Sequence, residues 1–354
     1  MVHTVAHRGL VSNLTGRTFV HPLFDYMLIG GGLSLLATAA VLLMPRTGEL
    51  ISAKTLPYFI LLSNSAHFAA STVRLYTKPD SYKTMPFATM ALPLVTLSVL
   101  TLCMFQAGRL GPHLQSLFLT WSPYHYAAQA YGLAVMYSYR SGSFLSPGDK
   151  SRLWWISMLP FFYAFLKGNS VGLDWLVPRI VLSQPMVHDV RAALSMVIMV
   201  LAFATPVVYF AKTWRSGGRP LPLISMLLLF SNGIWWFLLI YIDAFIWATI
   251  FHGIQYLAIV IIFHLKDQLA RPENRRGRVY HVTWFYATSL LLGYGLFNVF
   301  PLAFILAGFG KLESVLLVVA TINIHHFIVD GYIWRLKKTD TNRRIVEAAV
   351  PVPA

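Results

Sequence analysis

Residues 244–265 read AFIWATIFHGIQYLAIVIIFHL, a run of 22 residues without a single Asp, Glu, Lys or Arg. A helix of about 20 consecutive apolar residues spans the hydrocarbon core of a bilayer. Backbone N–H and C=O groups in hydrocarbon must bond to one another, and a helix achieves this within one segment. The stretch therefore predicts a transmembrane helix, and it carries His252 and His264 within it.

Nine further apolar runs accompany this one, and the composition agrees with them. The chain of 354 residues is 56% hydrophobic and only 12% charged, whereas soluble domains carry about 25% charged residues. We therefore predict an all-α protein, a polytopic transmembrane helical bundle of about ten spans that forms a single integral-membrane domain over residues 1–354. The predicted spans lie near residues 23–44, 55–75, 86–106, 114–138, 153–167, 191–211, 221–241, 244–265, 284–307 and 312–334.

The Lys and Arg residues predict how the bundle is oriented. When each is assigned to the nearest terminus or connecting segment, 21 fall on the side of the N-terminus and 7 on the opposite side. Because positive residues collect on the cytoplasmic side, both termini and the tail over 335–354 are predicted to be cytoplasmic, in a multi-pass protein of the cell inner membrane. The net charge of +15 then predicts contacts with anionic membrane lipids. No nucleic-acid binding is expected, because no basic stripe interleaves with exposed aromatic residues.

Histidines inside the predicted spans are the main functional signal. An ionisable side chain in hydrocarbon is costly, so each one is a functional hypothesis. A single histidine is often no more than a hydrogen-bonding partner of a neighbouring helix, but a set of them is harder to explain in that way. His21 stands at the mouth of the first span, and six histidines lie within spans: His67, His125, His252, His264, His325 and His326.

Two carboxylates follow histidines by four residues, a spacing that places both side chains on one helical face. They are Asp25 after His21 and Asp330 after His326. Such a carboxylate either binds a shared metal or accepts the imidazole N–H and orients the ring. The alternative is that each forms an ion pair with an arginine near the membrane face. Arg74 follows His67 by seven residues and so lies on the same helical face. It is a candidate to neutralise a buried carboxylate.

This set of residues predicts a buried metal site. The leading ligands are His67, His325 and either His125 or His252, and the further candidates are His21 and His326. The candidate catalytic or orienting groups are Asp25, Asp330 and Tyr256.

Imidazole and carboxylate ligands suit iron, zinc or copper, and the single Cys103 leaves no thiolate site to build. A buried non-haem Fe(II) site bordered by lipid suits oxygen chemistry, so the leading hypothesis is a membrane metal-dependent oxygenase with a lipophilic small-molecule substrate. Two alternatives stay open. One is a haem- or quinone-binding electron-transfer subunit, since bis-histidine haem needs only two facing rings. The other is a proton-coupled transporter, since chains of His and Asp mark proton pathways.

The motifs resemble those of the Brp/Blh family of membrane carotenoid-cleaving dioxygenases. The matching residues are the pair His21 and Asp25, the dipeptide His67-Phe68, and His325 with Asp330. The family's middle motif has two histidines four residues apart. This chain departs from it, because Gln129 follows His125 and Tyr256 follows His252 at that spacing. The resemblance implies iron-dependent oxidative cleavage of a carotenoid.

Reporter fusions test the orientation. Fusion points after Asp149 and after Arg276 should lie in the cytoplasm, and a fusion point after Asp189 should lie in the periplasm. The charge bias places the corresponding connecting segments on those sides. Paired alkaline phosphatase and green fluorescent protein fusions report the two sides. The reverse pattern would contradict the ten-span topology.

Overall fold

The computed structural model describes residues 14–43, 54–143, 145–216, 220–237, 244–336 and 341–347. Helices account for most of these residues, and no strand occurs among them. The prediction of an all-α protein is therefore confirmed for the described ranges. The end of the predicted cytoplasmic tail, beyond residue 347, lies outside them.

A helix occupies each of the ten positions predicted from the sequence. The first is broken, and the second is preceded by the helix Leu56–Phe59 and the π-helix Ile60–Ser65. The main helices are α1 (Pro22–Ile29), α2 (Gly32–Leu43), α3 (Ala66–Thr77), α4 (Phe87–Phe105), α5 (Ala107–Arg140), α6 (Pro147–Lys167), α7 (Pro185–Arg215), α8 (Leu223–Phe237), α9 (Ala244–Leu269), α10 (Arg278–Leu306) and α11 (Lys311–Ile333). The short helices are Ser81–Thr84, Leu173–Leu176, Arg179–Leu182 and Thr341–Glu347.

Five of the described helices are long and apolar enough to cross a membrane: α4, α7, α10, α11 and, from Ile246, α9. A sixth span results if α1 and α2, which meet at a bend of 60°, are counted as one broken crossing. The chain is thus a multi-pass membrane protein.

The chain divides into two compact units, and their boundaries fall inside α5 and α9. The first unit comprises Met1–Thr47, Pro123–Phe251 and Arg343–Ala354. The second unit comprises Gly48–Ser122 and His252–Asn342. Each unit is described below by itself.

In the first unit, α7 packs against α6 and α8, and α8 also contacts α2. Polar side chains join the helices at several points. The Ser225 hydroxyl donates to the Ala134 carbonyl at 2.8 Å, and the Trp247 indole N–H donates to the Thr38 hydroxyl at 2.9 Å. These bonds satisfy polar groups that hydrocarbon would leave without partners.

In the second unit, α3 lies at the centre and packs against α10 and α11. Its small side chains Ala66, Ala69 and Ala70 are fully buried. Small residues allow helix backbones to approach closely, which is the usual basis of packing between membrane helices. The same helix therefore presents its polar side chains directly to its neighbours.

Two glycines bring neighbouring helices against the backbone of the π-helix that precedes α3. A Cβ atom on Gly293 would lie 2.6 Å from the Ser65 carbonyl oxygen, and one on Gly253 would lie 3.0 Å from the Ser63 carbonyl group. Backbone atoms cannot swing aside as a side chain does. Any larger residue at either glycine must therefore push α9 or α10 away from the segment that leads into α3.

Replacing Gly293 with Ala should destabilise the protein by about 1–3 kcal/mol, the usual cost of forcing a methyl group into a packed interior. The matched control is Gly295→Ala on the same helix, where an added Cβ meets nothing within 4 Å and should be neutral or slightly stabilising. Thermal unfolding in detergent compares the two variants. Equal behaviour would contradict the close backbone contact.

Candidate metal centre

Three buried histidines converge in the second unit: His67 on α3, His252 on α9 and His326 on α11. Their exposed fractions are 0%, 0% and 1%. One ring nitrogen of each lies within 4.8 Å of one ring nitrogen of the others. The His67 ring centroid is 5.0 Å from that of His252 and 4.7 Å from that of His326, both edge to face. An ion bound by imidazole nitrogens lies about 2.0–2.1 Å from each of them, so three rings this close together are candidates to share one ion.

Ser71, one turn after His67 on α3, fixes the orientation of His326. The His326 Nδ1 atom lies 2.9 Å from the Ser71 hydroxyl oxygen. That hydroxyl already donates its proton to the Phe68 carbonyl at 2.8 Å, so towards the imidazole it must accept. Nδ1 of His326 therefore carries the ring proton, and Nε2 of the neutral ring presents a lone pair.

The lone pair of His326 faces a carboxylate. Nε2 lies 3.4 Å from Oδ2 of Asp330, one turn further along α11. The other carboxylate oxygen, Oδ1, accepts the hydroxyl of Tyr256 at 2.6 Å. An imidazole lone pair and a carboxylate oxygen thus point at the same space, where a cation or a shared proton relieves their repulsion. The donor set therefore fits a bound metal ion.

The sequence-based choice of His325 as a leading ligand does not coincide with this cluster. His325 and His326 are successive residues of α11, so their side chains leave the helix about 100° apart. The Nδ1 atom of His325 instead lies 2.8 Å from the Thr96 hydroxyl on α4. His326 occupies the place that the sequence analysis gave to its neighbour.

Of the two alternatives His125 and His252, the second unit contains His252. His252 lies against His67, whereas His125 belongs to the first unit, where it is buried on α5 beside Tyr126. A ligand role for His125 stays a prediction from the sequence.

The pair His21 and Asp25 lies in the first unit and forms a helix cap. His21 is exposed, and its Nδ1 accepts the backbone N–H of Leu23 at 3.2 Å. The buried Asp25 carboxylate accepts three backbone N–H groups, those of Phe19, Val20 and His21. It also accepts the Tyr137 hydroxyl at 2.8 Å. These bonds close the turn before α1 and explain the burial of Asp25 without a metal.

Arg74 pairs with a carboxylate, as the sequence analysis expected of it. Its partner is Asp267 on α9, and both side chains are almost fully buried. The sequence analysis did not single out Asp267, because it follows the apolar run of the eighth span. His264 lies one turn earlier on the same helix, with its Nδ1 atom 3.4 Å from the Thr77 hydroxyl and its ring stacked on Trp284.

Ser71 was also missed, although a signal for it exists in the sequence. It follows His67 by four residues, so both lie on one face of α3.

No protein-family model, curated protein or solved structure matches the chain. Membership of the Brp/Blh family therefore stays a prediction.

Replacing Asp25 with Asn should lower the free energy of unfolding by about 1–3 kcal/mol, because the new NH₂ group would face N–H and O–H donors in a buried site. Tyr137→Phe removes one bond only and should cost about 1 kcal/mol. His21→Ala, at an exposed position, should stay near wild type. Chemical unfolding in mixed micelles measures all three, and a wild-type stability of Asp25→Asn would refute the cap.

Proposed function

We propose that this chain is a membrane metalloprotein in which His67, His252 and His326 bind one transition-metal ion. The observation that carries the proposal is the convergence of three buried imidazoles with the Asp330 carboxylate beside one of them. Buried ionisable groups in a membrane bundle are costly and are found where function needs them. An ion bound by neutral imidazoles and a carboxylate offsets that cost.

The metal that we propose is Fe(II), in a non-haem site. A set of histidines and one carboxylate with open positions is typical of non-haem Fe(II) oxygenases, and Fe(II) bound there would supply oxygen activation. Haem fits less well, because its two axial ligands must lie on opposite faces of a flat macrocycle. The His67 ring touches both other rings edge to face, at 4.7 and 5.0 Å, which leaves no slot between two of them.

The chain's own residues orient and shield this site. Ser71 holds the proton on Nδ1 of His326 and so leaves Nε2 for the metal. Tyr256 holds the Asp330 carboxylate by its hydroxyl. The Phe68 ring lies 4.8 Å from the His326 ring and 5.5 Å from Phe297, so one side of the cluster is walled by aromatic carbon that excludes water.

The substrate that suits such a site is a lipophilic molecule that enters from the bilayer. The three ligands have no appreciable exposure, and the surrounding helices are apolar. The resemblance stated above makes a carotenoid the specific candidate, and oxidative cleavage the reaction, in a membrane metal-dependent dioxygenase.

We further propose the full ten-span arrangement in the cell inner membrane, with both termini in the cytoplasm. Two observations support it: a helix lies at each predicted position, and Lys and Arg favour one side threefold. The helices α3, α5, α6 and α8 then cross as well, although they are shorter or more polar than the other spans. Membrane lipids would surround the bundle.

Metal analysis of the purified protein tests the proposal. The wild type should hold about one iron per chain and show no Soret absorption. His67→Ala, His252→Ala and His326→Ala should each lose most of the metal. His264→Ala and His325→Ala are the controls, because those rings bond Thr77 and Thr96 elsewhere in the unit. His125→Ala decides whether that residue is a further ligand.

A matched pair of hydroxyl variants sharpens this test. Ser71→Ala should lower the metal affinity by about 10- to 100-fold at unchanged expression, which is the usual effect of losing a group that orients a ligand. Thr96→Ala removes the same kind of bond from His325 and should leave the affinity unchanged. Full metal content in all three histidine variants would contradict the proposed site. A Soret band would favour bound haem over non-haem iron.

A further inference from the structure

Helix α8 in the first unit carries three buried polar side chains on one face: Asn232, Trp235 and Trp236. The spacings of three and four residues place them within about 100° of one another around the helix. Their exposed fractions are 1%, 2% and 4%. Within the described ranges, neither the Asn232 amide nor the two indole N–H groups has a hydrogen-bond partner.

Two comparable buried polar side chains of the same unit do have hydrogen-bond partners, which sets this face apart from them. The buried indole of Trp247 donates to Thr38, and Ser225, earlier on α8, donates to the Ala134 carbonyl. Buried donors without acceptors are rare in folded proteins, and each one needs an explanation such as an absent water, ion or ligand. Three on one helix face point to a shared partner.

The position of this face is fixed by its contacts with α5. Ser225 bonds Ala134 of α5, and the Trp236 ring lies 5.9 Å from the ring of Tyr126 of α5. Asn232 lies between these two contacts along the same stripe of α8, so it also faces α5. The Tyr126 hydroxyl is already paired with Thr249 at 2.9 Å. The contacts of this face with α5 are therefore with an aromatic ring and a backbone carbonyl rather than with a charged side chain.

We propose that Asn232, Trp235 and Trp236 bind the acceptor oxygen of a lipophilic molecule, such as a quinone or a long-chain ketone. The N–H groups of these three side chains suit an acceptor oxygen, and because none of the three is charged they favour a neutral carbonyl over a carboxylate or phosphate. Burial closes the donors to water, so the ligand reaches them from the bilayer by rotation of one indole ring. This site shares no side chain with the proposed metal centre.

The test uses the full chain in lipid nanodiscs and two probes that differ in their oxygens. Decyl-benzoquinone should bind saturably, with about one molecule per chain, and its carbonyl stretch should move to lower frequency. Decylbenzene has no acceptor and should show no saturable binding. Equal behaviour of the two probes overturns the proposal.

Single substitutions identify the donors. Asn232→Leu, Trp235→Phe and Trp236→Phe should each weaken quinone binding by about 3- to 10-fold, which corresponds to one hydrogen bond to a neutral acceptor. Trp247→Phe is the matched control, because its indole N–H is bonded to Thr38, and it should bind as the wild type does. Wild-type affinity in all three donor variants overturns the proposal.

A stability measurement separates ligand binding from a structural role. Because no residue in the described part of the chain pairs with these donors, Asn232→Leu and Trp235→Phe should keep or raise the thermal midpoint without quinone. They should also reduce the rise in midpoint that quinone causes. Loss of stability without quinone in both variants, with an undiminished quinone effect, shows a structural role and overturns the proposal. Unchanged metal content in these variants keeps this test separate from that of the metal centre.

Discussion

Close contact of two helices with one π-helical segment is the constraint on which the second unit depends. Gly253 and Gly293 allow α9 and α10 to touch the backbone of the π-helix Ile60–Ser65. His252 immediately precedes Gly253 on α9, and His67 follows the end of the π-helix by two residues on α3. The helices must be this close for two imidazoles on different helices to share a site. A π-helix at such a point is common near functional sites.

Two buried carboxylates in the second unit are stabilised in different ways. The difference distinguishes a structural ion pair from a candidate metal-binding group. Asp267 pairs with the guanidinium of Arg74, so its charge is balanced by a fixed cation and the pair ties α3 to α9. Asp330 lies against the Tyr256 hydroxyl and the His326 imidazole, which are neutral groups. A carboxylate without a fixed cationic partner can bind an exchangeable cation. Asp330 therefore suits a metal site better than Asp267, whose charge Arg74 already balances.

The sequence predicted the helices well, because hydropathy alone identifies long apolar segments. It also included His67, His252, His326, Asp330 and Tyr256, which the structure brings together, among its candidate site residues. It preferred His325 to His326 as a leading ligand. Both stand in one apolar helix whose polar groups lie on more than one side, and only the packing of α11 on α3 and α4 decides which ring faces which neighbour. The role of Asp25 was likewise hidden, since its partners are mainly backbone N–H groups, which every sequence supplies.

Three histidines of the second unit are each oriented by a Ser or Thr hydroxyl at Nδ1. They differ in the groups that their Nε2 atoms face. A Ser or Thr hydroxyl donates to a carbonyl of its own helix and so accepts from Nδ1 of the histidine: Ser71 for His326, Thr96 for His325 and Thr77 for His264. Each ring is thereby fixed with its lone pair on Nε2. Of these three rings, the His326 ring is the one whose Nε2 lies beside a carboxylate and whose edge meets the His67 ring. A hydroxyl thus orients each of these three rings in the same way, and the packing of α3, α9 and α11 brings only the His326 ring of the three against the other imidazoles of the cluster.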